Sequence, residues 1–399
     1  MTDTDKKGFC CGKARGTEFY MKKIAAFFKK EMMLTLSLVA AALALIITPP
    51  TKALLKDIDW RTLGTLLMML CVLEGFKQEK LLSPLVRLSS HFKTPVTLSL
   101  FLVFGVFFSS MFVTNDVSLI IFVPLTIMIF RGAGLEKYIL PIITMQNIAA
   151  IRGSLLMPFG SPQNLFLYGK AGVSVWHFML HMAPLCVMSA ALIVVFILVI
   201  YRKSEVKHLE VDPELVKKEG SFTLKKAVYY ALFLLVIGVI VTRTRFWYIA
   251  IAIVLLSILA VDRKIFIKVD YVLLFTFLCF FIFSSSIAAN TKIAGFLETA
   301  VAGNEYFWSL GLSQLISNVP STIVLYPFTR NFAGLIYGAD TAGLLSIIGS
   351  LASVINYRIY VREYPGNGGK FLKVFTLISW AFFLIVVIPG YFLTKWKFF

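Results

Sequence analysis

The sequence predicts an all-α polytopic membrane protein built from two inverted-topology repeats, each with a re-entrant helical hairpin and a broken transmembrane helix. Three observations predict it. Of the 399 residues, 58% are hydrophobic and only 15% are charged, against about 25% charged in a soluble domain, and apolar runs long enough to span a bilayer recur along the chain. Two polar islands, Thr114-Asn115-Asp116 and Gly160-Ser161-Pro162-Gln163-Asn164, interrupt such runs; non-helical chain survives at membrane depth only when buried in protein or lining a wet cavity. The interruptions then recur in the same order, as Ser317-Asn318 with Pro320 and Ser321, and as Gly349-Ser350. Interrupted segments at corresponding places in two halves point to a transporter's binding site.

Taken in order, residues 1–31 form a cytosolic basic tail, with an amphipathic stretch around Phe19 to Phe28 suited to the membrane surface. The first apolar run, from Met32, is long enough to span, so no secretory signal peptide is expected. Residues 32–201 form the first repeat: spans at 32–49 and 60–76, a hairpin over about 95–131, a broken helix over about 136–168 and a closing span at 176–201. A cytosolic linker at 202–223 leads to an extra span at 224–243, which inverts the second copy. The second repeat, 244–399, has spans at 245–262 and 270–288, a hairpin over about 305–330, a broken helix over about 340–362 and a closing span at 371–395. Ile58-Asp59-Trp60 and Val269-Asp270-Tyr271 open corresponding helices.

A formal net charge of +18 suggests nucleic acid, but its distribution argues for membrane orientation instead. With the N-terminus in the cytosol and the C-terminus outside, 28 of the 39 Lys and Arg fall on the inner side, as the positive-inside rule requires. Cys10, Cys11, Cys71, Cys186 and Cys279 have neither metal-ligand spacing nor a disulfide framework. No Walker-type GxxxxGK[ST] occurs, so an ion gradient must supply the work.

The stretches FVTNDVSLIIFVP, GSPQNLFLYG and SQLISNVPSTIVLYPFT resemble the ion transporter superfamily, over most of the chain from about Asp57 onward. That group includes citrate transporters, divalent anion–sodium symporters, arsenite permeases and some sodium–proton antiporters. The resemblance implies alternating access by secondary transport, a small anionic substrate (carboxylate or oxyanion), Na⁺ or H⁺ as coupling ion with no other cofactor, and a homodimer. It brings the residues that follow the helix breaks beside the hairpin tips.

The candidate binding residues are Thr114, Asn115, Asp116, Arg152, Gly160, Ser161, Gln163, Asn164, Ser317, Asn318, Ser321, Gly349 and Ser350. Asn115 and Asn318 sit at the hairpin tips, where an amide offers an acceptor to a cation and a donor to an anion; either could equally cap its helix. Candidate Na⁺ sites lie near Asn115, Asp116 and Gly160, and near Asn318 and Gly349. Asp116 is the only acidic residue in the first hairpin; it could hold Na⁺, carry H⁺, or pair with Arg152. The second repeat has Val319 there. A neutral residue at this place is typical of dicarboxylate members and Asp of arsenite and antiporter members, so Asp116 departs from the dicarboxylate pattern. Arg152 needs a carboxylate, an anionic substrate or water, and substrate contact and a pair with Asp116 stay open. Ser353 reads as helix packing. Glu74 and His91 are set aside, and His177 and His181 read as interfacial, since no third metal ligand is near.

The expected function is a prokaryotic plasma-membrane transporter with no nucleic-acid partner. A cation–proton antiporter using Asp116 is the first alternative. A membrane-embedded transferase is more distant, because four His and few intramembrane acids leave little for a catalytic cluster.

Overall fold

The computed structural model describes residues 31–49, 56, 58–81, 88–202 and 223–396, and among them every regular element is helical. The amphipathic stretch around Phe19 to Phe28 and residues 203–222 of the linker lie outside the described residues. The first half runs α1 (Met32–Ile47), α2 (Trp60–Gln78), α3 (Pro95–Val113), α4 (Asn115–Gly132), α5 (Glu136–Ser154), α6 (Pro162–Ala171) and α7 (Val175–Tyr201). After α8 (Leu224–Thr242), α9 (Trp247–Val261) and the single turn α10 (Ile265–Lys268) come α11 (Tyr271–Ala289), α12 (Thr291–Val301), α13 (Glu305–Ile316), α14 (Asn318–Leu325), α15 (Phe332–Ala342), α16 (Leu351–Glu363) and α17 (Gly368–Leu393).

Local chemistry sets the starts. Asp59 accepts from the Thr62 amide at 2.9 Å, and Asp270 accepts from the Leu273 amide at 3.0 Å, each satisfying one orphan donor of a helix N-terminus. Pro95 and Pro162 stand in the first turns of α3 and α6, where a missing N–H costs nothing. Six helices among the described residues (α3, α4, α7, α8, α11 and α17) are long and apolar enough to cross a membrane. Both helices of the first predicted hairpin are in that set, whereas α13 and α14 have 12 and 8 residues, about 18 and 12 Å of helix. The second broken helix begins at Phe332, ahead of the expected boundary at 340. Asn331 caps it by accepting from the Gly334 amide at 2.9 Å, and Phe332 through Ala342 is buried throughout.

The packing of the two halves has a common plan. Helix α3 lies on α5 and α13 lies on α15. At Gly153 a Cβ would collide with the Phe107 carbonyl, and at Gly338 with that of Tyr306; small residues allow such backbone approach in lipid, where no hydrophobic force draws helices together. The halves also interlock, with α4 packing on α16 and α14 on α6. Polar side chains tie α5 to its neighbours. Gln146 Nε2 donates to Thr126 Oγ1 on α4 at 2.7 Å, Asn147 Nδ2 to Ser353 Oγ on α16 at 3.0 Å, and Asn356 Nδ2 to the Ile143 carbonyl at 2.7 Å. Ser353 is therefore a packing residue. Outward, α7 shows Val187, Leu198 and Val199, and α17 shows Leu377, Leu384 and Ile388, an apolar surface suited to acyl chains.

Candidate functional site

The two hairpin tips have the same backbone. Thr114, between α3 and α4, has φ 71° and ψ 158°; Ser317, between α13 and α14, has φ 69° and ψ 163°. This region is nearly confined to glycine and costs about 1–3 kcal/mol per residue. The next residues match too: Asn115 Oδ1 accepts from the Asp116 amide at 3.0 Å, and Asn318 Oδ1 from the Val319 amide at 3.0 Å. Each asparagine is the first residue of a helix, so the tips expose helix N-termini with their free N–H groups and positive dipole ends.

The breaks match as closely. Ser161 before α6 has φ −146° and ψ 154°, and Ser350 before α16 has φ −148° and ψ 137°. A Cβ on the preceding Gly160 would strike the Ser154 carbonyl that ends α5, and one on Gly349 the Ala342 carbonyl that ends α15. Amides satisfy the carbonyls freed at each break. Asn164 Nδ2 donates to Ser154 O at 3.1 Å and Leu155 O at 3.3 Å, and Gln314 Nε2 donates to Ala342 O at 3.1 Å. Ser161 Oγ caps α6 by accepting from the Asn164 amide at 3.4 Å, whereas α16 has no side-chain cap.

Each tip stands beside the break of its own half. Phe112 and Phe159 place their ring centroids 6.4 Å apart, and Ser346 Oγ donates to Gln314 Oε1 at 2.6 Å. The breaks are joined to each other by a buried ion pair of Arg152 Nη1 with Asp340 Oδ2, and Arg152 Nη2 donates to Thr341 Oγ1 at 3.5 Å. Among the described residues, Asp116 Oδ1, Asn164 Oδ1, Ser350 Oγ and Arg152 Nε are buried without a hydrogen-bond partner. The first three are oxygens with spare acceptor capacity, the atom type that binds Na⁺.

A cavity of about 520 Å³ opens between α6, α11 and α14, with Asp59, Phe166, Lys170, Ser284, Ile323 and Tyr326 in its wall. At the corresponding junction of α4 with α16, Arg131 Nη2 meets Glu363 Oε2 at 3.4 Å and Arg131 Nε donates to the Tyr364 hydroxyl at 3.4 Å.

Residues 23–349 match the model of a family described as Citrate transporter, more than three quarters of the chain. The chain belongs to the citrate transporter family. It is a membrane transporter rather than an enzyme, of a family that takes small anions. This agrees with the superfamily resemblance carried by the tip and break motifs. Similar proteins include "Inner membrane protein YbiR" of Escherichia coli, 28% identical over 89% of this chain and 93% of its own. Another is "Uncharacterized transporter MJ0456" of Methanocaldococcus jannaschii, 29% identical over 84% of this chain and 89% of its own. A solved structure, the YdaH transporter of Alcanivorax borkumensis, covers 92% of this chain and 96% of its own, at 14% identity and a TM-score of 0.47.

Within this citrate-transporter-family chain, Thr114, Asn115 and Asp116 lie at one tip and Ser317 and Asn318 at the other. Gly160, Ser161, Gln163 and Asn164 border one break, and Gly349 and Ser350 the other. Ser321 turns inward, donating to the Ser309 carbonyl at 3.2 Å within its own hairpin. Arg152 requires a correction: its carboxylate is Asp340, not Asp116. His181 is fully buried, with Nδ1 3.0 Å from the Tyr337 hydroxyl and Nε2 3.3 Å from the Trp396 carbonyl. Sequence reasoning missed Asp340 and Gln314. The available signal was position, since Asp340 precedes the end of α15 by two residues as Arg152 precedes the end of α5.

Proposed function

We propose that the protein moves a small anion, a carboxylate or oxyanion, across a prokaryotic plasma membrane by alternating access driven by a Na⁺ or H⁺ gradient. The observation that carries this is the matched pair of strained tips. Thr114 and Ser317 hold the same disfavoured backbone, beside breaks where a serine with matching extended backbone precedes the next helix. Strain repeated at equivalent places points to a functional constraint. Four helix N-termini, those of α4, α6, α14 and α16, belong to these tips and breaks, and their N–H groups suit an anion.

In this reading α3–α4 and α13–α14 are re-entrant hairpins, and residues 32–201 and 244–399 are inverted repeats, with the N-terminus cytosolic and the C-terminus extracellular. The short α13 and α14 support a hairpin that does not cross. Na⁺ would be held near Asn115, Asp116 and Gly160, and near Asn318 and Gly349. The interlocked packing of α4 on α16 and α14 on α6 supplies two quasi-equivalent gates. The mouth at α6 and α14 has an open cavity, while Arg131 bridges the other. A homodimer is carried over from the resemblance.

The test is uptake of radiolabelled citrate, and of succinate, sulfate and arsenite in parallel, into proteoliposomes with an imposed Na⁺ or H⁺ gradient. Gradient-dependent accumulation of one of these anions supports the reading. A second reading, a cation–proton antiporter, draws on the Asp116 oxygen without a donor among the described residues. Na⁺-driven proton movement with no added anion would favour it.

A further inference from the structure

We propose that Lys170, with Arg61 and Arg243 behind it, forms an anion-capture site at the mouth of the protein, distinct from the tips and breaks, in which an incoming polyanion displaces the Asp59 carboxylate from Lys170. The inference deepens the anion-transport reading and rests on it.

Lys170 is in the last turn of α6, and Nζ lies 2.8 Å from Asp59 Oδ2. The ion pair is not sealed: the lysine side chain is 28% exposed. Two cavities meet at it, both bounded by Asp59 and Lys170. One is the 520 Å³ cavity between α6, α11 and α14; the other, about 220 Å³, reaches between α2, α6 and the end of α8 and is lined by Arg61, Tyr168 and Arg243. Lys56 also borders the larger one. Among the described residues, four cationic side chains line the two cavities, with Asp59 the one carboxylate beside them. A site with that balance attracts anions, and its low-dielectric walls concentrate the field.

Aromatic rings fix the cations. Lys170 Nζ is 5.8 Å from the Phe166 ring centroid and 5.6 Å from that of Tyr326. The Arg243 guanidinium stands 4.0 Å over the Tyr168 ring, its Nη2 donates to the Tyr168 carbonyl at 2.6 Å, and its Nε is buried without a partner among the described residues. Asp59 is a suitable occupant to displace, because its Oδ1 has separate work capping α2 through the Thr62 amide. The carboxylate keeps that bond when Oδ2 gives up Lys170. Position gives the capture site its use. Lys170 is eight residues along α6 from Pro162, about 12 Å, so its charge acts on an anion in the mouth more than on one at the Ser161 break, given a Debye length of about 8 Å at physiological salt.

The experiment measures acetylation of Lys170 by a water-soluble amine reagent on full-length protein in phosphatidylcholine nanodiscs, read by mass spectrometry. Titrations use citrate and sulfate as probes. Both should protect Lys170, with weaker protection at high NaCl. Asp59→Asn keeps the cap, since Asn caps as well as Asp, and should lower the citrate concentration for half-protection several-fold. Arg243→Gln should raise it. Equal protection in wild type and Asp59→Asn, with a lower melting temperature in the variant, would mean a structural ion pair and overturn the proposal. Protection that needs phosphatidylglycerol in the nanodisc and ignores citrate would assign the site to a lipid headgroup and overturn it too. Citrate and sulfate counterflow by wild-type protein is measured separately: its absence together with intact Lys170 protection would count against the transport reading and leave the capture site standing.

Discussion

Arg152 and Asp340 hold equivalent places in the two halves and bind each other: each is the third residue from the end of the helix that precedes its break, and their side chains form a fully buried ion pair. The halves are thus joined at the breaks by opposite charges placed on corresponding residues. A guanidinium that cannot readily lose its proton needs such a partner at membrane depth. Because Asp340 meets that need, Asp116 is left to other work.

Removing one member of this pair strands the other. Arg152→Met or Asp340→Leu alone should lower stability by about 3–5 kcal/mol, and the two together should recover most of it. Denaturant melts in detergent check this; additive losses in the double variant would show that the two side chains act independently.

Asp116→Asn should leave stability within about 1 kcal/mol, since Oδ1 has no partner among the described residues to lose. Counterflow between equal substrate pools should persist while accumulation against a gradient fails. Wild-type accumulation by this variant would remove Asp116 from coupling.

Gly160→Ala and Gly349→Ala each push a methyl group into a backbone carbonyl that ends the preceding helix piece. Each should cost about 1–3 kcal/mol and abolish most uptake. Gly238→Ala, where a Cβ meets nothing within 4 Å, is the control and should be neutral or slightly stabilising. Uptake and melting of the three variants together separate a special site from general intolerance of alanine.

The proposed topology sets Lys264 and Arg330 on opposite faces, so with an impermeant maleimide on intact cells a single cysteine at Lys264 should be protected and one at Arg330 labelled. Labelling of both from outside would end the inverted-repeat topology.

The sequence alone marked several of the places where helices start and stop. Asp59 and Asp270 before apolar runs, Gly-Ser at 160 and 349, and Asn115 and Asn318 at the tips are local signals, acting through backbone groups a few residues away, and each stands at a helix boundary in the structure. Even the positions of strain were legible as polar interruptions, although the left-handed φ of Thr114 and Ser317 was not, since neither is glycine. The tertiary structure decided the partners. Asp340 is a lone acid in an otherwise small and apolar helix, and its guanidinium lies 188 residues away in the chain. Lys170 and Asp59 meet across 111 residues, and His181 and Tyr337 across 156. Side chains this far apart in sequence carry no periodicity that names their partner. Only tertiary packing sets the end of α5 by that of α15, α6 by the start of α2, and α7 by α15, and for Arg152 and Asp340 the cost of a buried unpaired charge then fixes the choice.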